Sequence, residues 1–229
     1  MGYTHYWDRK KDLNPEQFKK VVKDFKKLLP VFELIGIKLA NSHGKGNAQI
    51  TNKLIKFNGL ELCGHTQRNL GITWPSENAK GIASVVAIKD KTAQNTMVTQ
   101  LTGQQQKLNS QDSDVDGKWY AGLKLNARTC GGDCSHESVY FPQKLDKGDC
   151  HSSHDENEKL LFNCTKTAYK PYDLAVNCFL IIAKEHFKDD IKVYSDGGIK
   201  QWVDAMEICQ RQLKYGLMFK FDGEDEDED

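Results

Sequence analysis

Residues Leu160–Phe187, LLFNCTKTAYKPYDLAVNCFLIIAKEHF, decide how the rest of this chain folds. From Leu174 to Ala183 the segment is apolar on every face except at Asn177. A helix that is hydrophobic all round belongs inside a core rather than on its surface. Pro171 suits a first helical turn, where a missing N–H costs nothing. Asp173 sets a carboxylate near the positive end of the helix dipole. Just upstream, Thr165, Lys166, Thr167 and Lys170 gather hydroxyls and positive charge at the same helix start. The stretch therefore joins a buried helix, Tyr172–Phe187, to a polar, cationic end.

Working outward, Tyr3 to Trp7 alternates and is aromatic, which predicts a short strand. Asn14-Pro15 is a helix start, and Phe18, Val21, Val22, Phe25, Leu28 and Leu29 recur at helical spacing up to Pro30. The opposite face carries Lys19, Lys23, Lys26 and Lys27, a solvated stripe or a site for an anionic partner. Asn58-Gly59 between LIKF and LELC predicts a hairpin turn within Ile50–Cys63. Ser84–Ile88, Trp119–Asn126, Ser138–Phe141, Ile191–Tyr194 and Leu217–Phe221 read as further strands. Trp202, Ala205, Met206, Cys209 and Leu213 mark a second amphipathic helix, stopped by Gly216. Residues 89–118 are a long polar excursion, and 146–158 a polar loop. Strands dominate the first two thirds and helices the last. The expectation is one α+β domain over residues 1–221, with a mixed or mainly antiparallel sheet, the buried helix and two amphipathic helices.

The 229 residues carry 32 basic and 32 acidic side chains. Seven of the acids lie in the tail 222–229, which leaves 25 against 32 basic residues, a body charge of +7. A basic body with an acidic tail fits contact with a polyanion, a tail that screens a basic face, or a tail that is only a disordered, solubilising end. No uninterrupted apolar run reaches the length of a membrane span, and no signal peptide is visible, so a cytoplasmic setting (host cytoplasm or virion) is expected. Seven cysteines in such a setting read as thiols rather than as a disulfide framework.

Four groups of residues bear on candidate chemistry. Free N–H groups at a helix start, with Lys166, Lys170 and two threonines, are the ingredients of a phosphate or carboxylate site, although Asp173 can occupy that position itself. Cys130 and Cys134, with Cys150 and His154, offer zinc its soft ligands; buried thiols beside loop histidines are the other reading. Ser135-His136-Glu137-Ser138 holds an acid and a base near one another, though strand neighbours point to opposite faces. Asp112-Ser-Asp114-Val-Asp116-Gly117 begins like a calcium loop but has Leu123 where a bidentate glutamate is needed.

GYTHYW at Gly2–Trp7, the run from Trp119 through CGGDCSHE to Phe141, and KTAYKPYDLAV at Lys166–Val176 with the later Ser195-Asp196-Gly197 together resemble a family of uncharacterised proteins of bacteriophages, large DNA viruses and bacteria. The chain departs from that pattern at Ser138, at Tyr194 and in its Gln-rich excursion. The Lys/Asn-rich composition and acidic tail fit a large DNA virus of a low-GC host. The resemblance supplies no activity, but it gathers Tyr3, His5, Trp7, His136, Glu137, Lys166, Lys170, Tyr172 and Asp173. Such a mix suits a pocket for a nucleotide, nucleic acid or other phosphate-bearing ligand. The expected roles are His136, Glu137 and Asp173 in catalysis, and Tyr3, His5, Trp7, Lys166, Lys170 and Tyr172 in ligand binding. A non-enzymatic virion or host-interaction protein, its motifs structural, is the alternative.

Overall fold

The central helix is buried as its composition requires. In the computed structural model, which describes residues 2–63, 72–74, 119–120, 123–145 and 160–223, every residue from Asp173 to Ala183 is buried. In chain order the elements are β1 (Thr4–Lys10), α1 (Pro15–Leu34), β2 (Leu39–Ala40), β3 (Gln49–Ile50), β4 (Leu54–Gly59), β5 (Ile72–Trp74), β6 (Trp119–Tyr120) and β7 (Leu123–Lys124). There follow β8 (Arg128–Cys130), β9 (Val139–Pro142), β10 (Leu160–Lys166), α2 (Asp173–Phe187), β11 (Ile191–Ser195) and α3 (Val203–Leu213). The strand pairings are antiparallel, and with the helices they make an α+β fold. No helix among the described residues is long and apolar enough to cross a membrane.

Strand β1 runs between β10 and β11, with His5 opposite Thr165 on one side and Ser195 on the other. Its period-two alternation turns His5, Trp7 and Arg9 inward. A second sheet has the order β2-β4-β3, and β9 also pairs with β4. The two sheets meet where the Arg9 guanidinium donates to the carbonyls of Pro142 and Gln143. Phe179 of α2 then packs edge-on to Phe25 of α1, Phe57 of β4 and Phe141 of β9, with centroids 5.0–6.0 Å away. Aromatic edges meeting ring faces at such distances stabilise beyond the area they bury.

Several expectations are corrected. Helix α1 continues through Pro30 to Leu34. The proline lies exposed and forfeits one backbone bond, but Val31 and Phe32 beyond it are each 1% exposed, and their burial carries the helix on. Asn58-Gly59 ends a strand and makes no turn. The turn stands at Thr51–Leu54, where the Thr51 hydroxyl oxygen accepts from the N–H groups of Lys53 and Leu54. Asn58 is buried instead. Its amide donates to the His136 carbonyl at 2.8 Å and its oxygen accepts from the His136 N–H at 3.0 Å. Trp119–Asn126 is two two-residue strands rather than one.

Leu217–Phe221 forms no strand; Phe219 and Phe221 turn inward instead, Phe219 stacking on Trp202 and Phe221 meeting it edge-on. Asp222, expected as the first acid of a free tail, is held. It accepts from Lys184 Nζ at 2.6 Å and from the Val193 N–H at 2.8 Å. Helix α3 is closed by Lys214 in the left-handed region, two residues before Gly216. The strand expected at Ser84–Ile88, the excursion 89–118, the loop 146–158 and residues 224–229 lie outside the described residues.

Candidate functional site

The start of α2 is joined to β1 by a buried chain of polar side chains. Asp173, the first helical residue, accepts from His5 Nε2 at 2.7 Å, from the Thr167 hydroxyl, from Arg128 Nε at 3.0 Å and from Asn177 Nδ2 at 3.4 Å. The other His5 nitrogen, Nδ1, lies 3.0 Å from Ser195 Oγ. Arg128 spans from Asp173 to Asp204 on α3, to which its Nη1 donates at 2.7 Å. His5, Arg128, Asp173 and Asp204 are each at most 1% exposed, whereas Ser195 is half-buried and meets solvent. Burial alone would raise the Asp173 carboxyl. The His5 ring, the Arg128 guanidinium and the Thr167 hydroxyl outweigh it and lower the pKa to about 2.

Local backbone geometry makes this arrangement possible. Ala168 and Tyr169 follow β10 with φ of 50° and 54°, a left-handed pair without a glycine. Such residues are costly, and they persist only where surrounding contacts hold them. Here the Tyr3 carbonyl accepts from the N–H groups of Thr167 and Ala168 at 2.8 and 3.1 Å, and the Tyr169 ring stacks on Tyr3 at 3.8 Å. The turn that results points the Thr167 hydroxyl at Asp173. On the other side, the Gly197 N–H donates to Ser195 Oγ at 3.2 Å, and a side chain at Gly197 would strike the Tyr3 hydroxyl.

A second group surrounds the end of β10, and it changes the expected roles of His136 and Glu137. Glu137 Oε2 accepts from the Lys166 N–H at 2.7 Å, and His136 Nδ1 donates to the Lys166 carbonyl at 2.8 Å. The Tyr172 hydroxyl donates to the Glu137 carbonyl at 2.6 Å. His136 and Glu137 are exposed, and both grip the main chain of one residue instead of facing a common reacting atom. Lys170 Nζ donates to the Asp133 carbonyl at 2.6 Å, and the Lys166 side chain lies against Gly2. The helix start expected to take an anion thus has its own carboxylate inside it. Trp7, expected to bind ligand, is a core residue packed near Phe141.

The expected metal ligands divide. Cys130 and Cys134 come together and are joined by Cys63, which sequence reasoning passed over. Cys150 and His154, like the calcium-like segment at Asp112–Gly117, lie outside the described residues. Arg128 and Asp204 were also missed. Their signal was slight: Asp204 stands on the buried side of an amphipathic helix beside Ala205, where a charge needs a partner. A cavity of about 550 Å³ lies elsewhere, between the ends of α2 and α3 and Leu217–Phe221, and no residue of the resembling motifs lines it. Compared with protein-family models, with curated proteins and with solved structures, the chain matches none.

Proposed function

We propose that the protein is a group-transfer enzyme in which Ser195 supplies the reacting hydroxyl, His5 the general base and Asp173 the group that orients it. The observation that carries this reading is the continuous chain from Ser195 Oγ to His5 Nδ1 at 3.0 Å and from His5 Nε2 to Asp173 at 2.7 Å. An ionised carboxylate only accepts, so it is Nε2–H that faces Asp173, and in that tautomer Nδ1 keeps its lone pair. Nδ1 is then the acceptor for the serine proton. Each of three motifs contributes one member: GYTHYW gives His5, KTAYKPYDLAV gives Asp173, and Ser-Asp-Gly gives Ser195. The basic body favours a phosphate-bearing substrate, a nucleotide or nucleic acid, over a neutral one. The left-handed pair beside the network is a further support, since strain of this kind gathers at working sites.

A second reading is that the motifs are structural, in a non-enzymatic virion or host-interaction protein. Full burial of His5, Asp173, Arg128 and Asp204 favours it. The test is hydrolysis of p-nitrophenyl phosphate and p-nitrophenyl acetate, with covalent labelling by a fluorophosphonate probe. Wild-type protein should label at Ser195 and turn over one ester class. Ser195→Ala should abolish labelling and lower turnover by about 10²-fold or more. A variant that keeps wild-type turnover, or a wild type that neither labels nor turns over, leaves the structural reading.

A further inference from the structure

We propose that Cys63, Cys130 and Cys134 form a thiolate metal centre that takes a zinc ion. The sulfurs of Cys63 and Cys130 are 3.4 Å apart, those of Cys130 and Cys134 are 3.2 Å apart, and all three lie within 4.8 Å of one another. The residues are 5%, 0% and 3% exposed. No disulfide joins them; a disulfide holds its sulfurs at about 2 Å and would leave one of three unpaired. Zinc with Zn–S bonds of about 2.3 Å in a tetrahedron separates its sulfurs by about 3.8 Å. The observed spacing reaches that value with a small outward movement of each side chain. Thiolate is the ligand that zinc and other soft or borderline ions select.

The backbone is built to hold the three together. Cys130 ends β8, and Gly131-Gly132-Asp133 turns the chain so that Cys134 returns beside it. Gly132 has a φ of 90°, which a side chain rarely adopts. Cys63 reaches the same turn and donates to the Gly132 carbonyl at 3.3 Å. Its segment is locked in place because the Cys134 N–H donates to the Leu60 carbonyl at 3.2 Å. Gly59 lies so close to the Cys134 carbonyl that no side chain fits between them. Cys63 and Cys130 stand 67 positions apart, so an ion held here closes a long loop, where a cross-link constrains the unfolded chain most. The three thiolates leave one coordination position that none of the described residues fills.

The proposal is tested on the full chain under reducing conditions. After chelation, cobalt(II) should give the intense thiolate-to-cobalt charge-transfer absorption of a sulfur-rich tetrahedral site, and zinc should displace it. Cys63→Ser and Cys134→Ser should each weaken cobalt binding by about tenfold or more. Cys164→Ser, which changes an exposed thiol, should leave it unchanged. Should the buried variants not fold, alkylation of native wild-type protein with and without zinc decides. Zinc should protect Cys63, Cys130 and Cys134, identified by peptide mass spectrometry. A wild type without the charge-transfer band, or zinc that protects a different set of cysteines, overturns the proposal.

Discussion

Asp173 Oδ1 lies 2.7 Å from His5 Nε2, although 168 positions of chain separate the two residues. The pair ties the first strand to the start of the central helix. Through Arg128 and Asp204 the same network reaches α3. A carboxylate so enclosed is stable only while its donors remain, because an uncompensated buried charge is expensive.

The first prediction follows from that dependence. Arg128→Met should destabilise the fold by about 3–5 kcal/mol, since it leaves both Asp173 and Asp204 without their shared cation. Urea unfolding measures it. A loss below about 1 kcal/mol would mean that the carboxylates find other partners.

The second concerns acid. The folded-state pKa of Asp173 is lowered from 3.8 to about 2. A depressed carboxylate contributes stability that is fully present above its unfolded value and is lost as pH falls through its folded value. The contribution, on the order of 2 kcal/mol, should therefore be intact at neutral pH and disappear between roughly pH 4 and pH 2. Unfolding free energies measured across that window should fall more steeply for the wild type than for Asp173→Asn.

The third separates anchoring from chemistry at the Ser-His-Glu segment. Glu137→Ala removes the acceptor of the Lys166 N–H and should cost about 1 kcal/mol. Any turnover that depends on Ser195 should survive the change. Loss of turnover without loss of stability would return Glu137 to a catalytic role.

The fourth concerns close packing. A Cβ on Gly59 would stand 1.9 Å from the Cys134 carbonyl oxygen, so Gly59→Ala should cost about 1–3 kcal/mol as the two segments are forced apart. Thermal unfolding provides the comparison, and an unchanged melting temperature would contradict the packing described.

The fifth runs in the stabilising direction. Pro30 is exposed inside α1, so Pro30→Ala restores a helical N–H and should stabilise by about 2 kcal/mol, less the added freedom of the unfolded chain. A variant of lower melting temperature would show that the ring has a packing role.

The sequence by itself determined the elements whose pattern is local. The run Leu174–Ala183, apolar but for Asn177, could bury only as a central helix, and Asn14-Pro15 with its 3.6-residue stripe could start only an amphipathic one. The alternation of GYTHYW likewise sent His5 and Trp7 inward. What tertiary structure decided is which distant polar groups those elements bring together. Asn58-Gly59 carries a strong hairpin signal, yet long-range burial of Asn58 against His136 overrides it. Asp173 could have faced an outside anion or the protein, and only the placement of His5, Thr167 and Arg128 turned it inward. Cys63 could join Cys130 and Cys134 only once its segment met the Gly131-Gly132 turn. The reason is physical. Periodicity reports which face of an element avoids water, whereas hydrogen-bond and thiol partners depend on where two faces far apart in sequence come to rest.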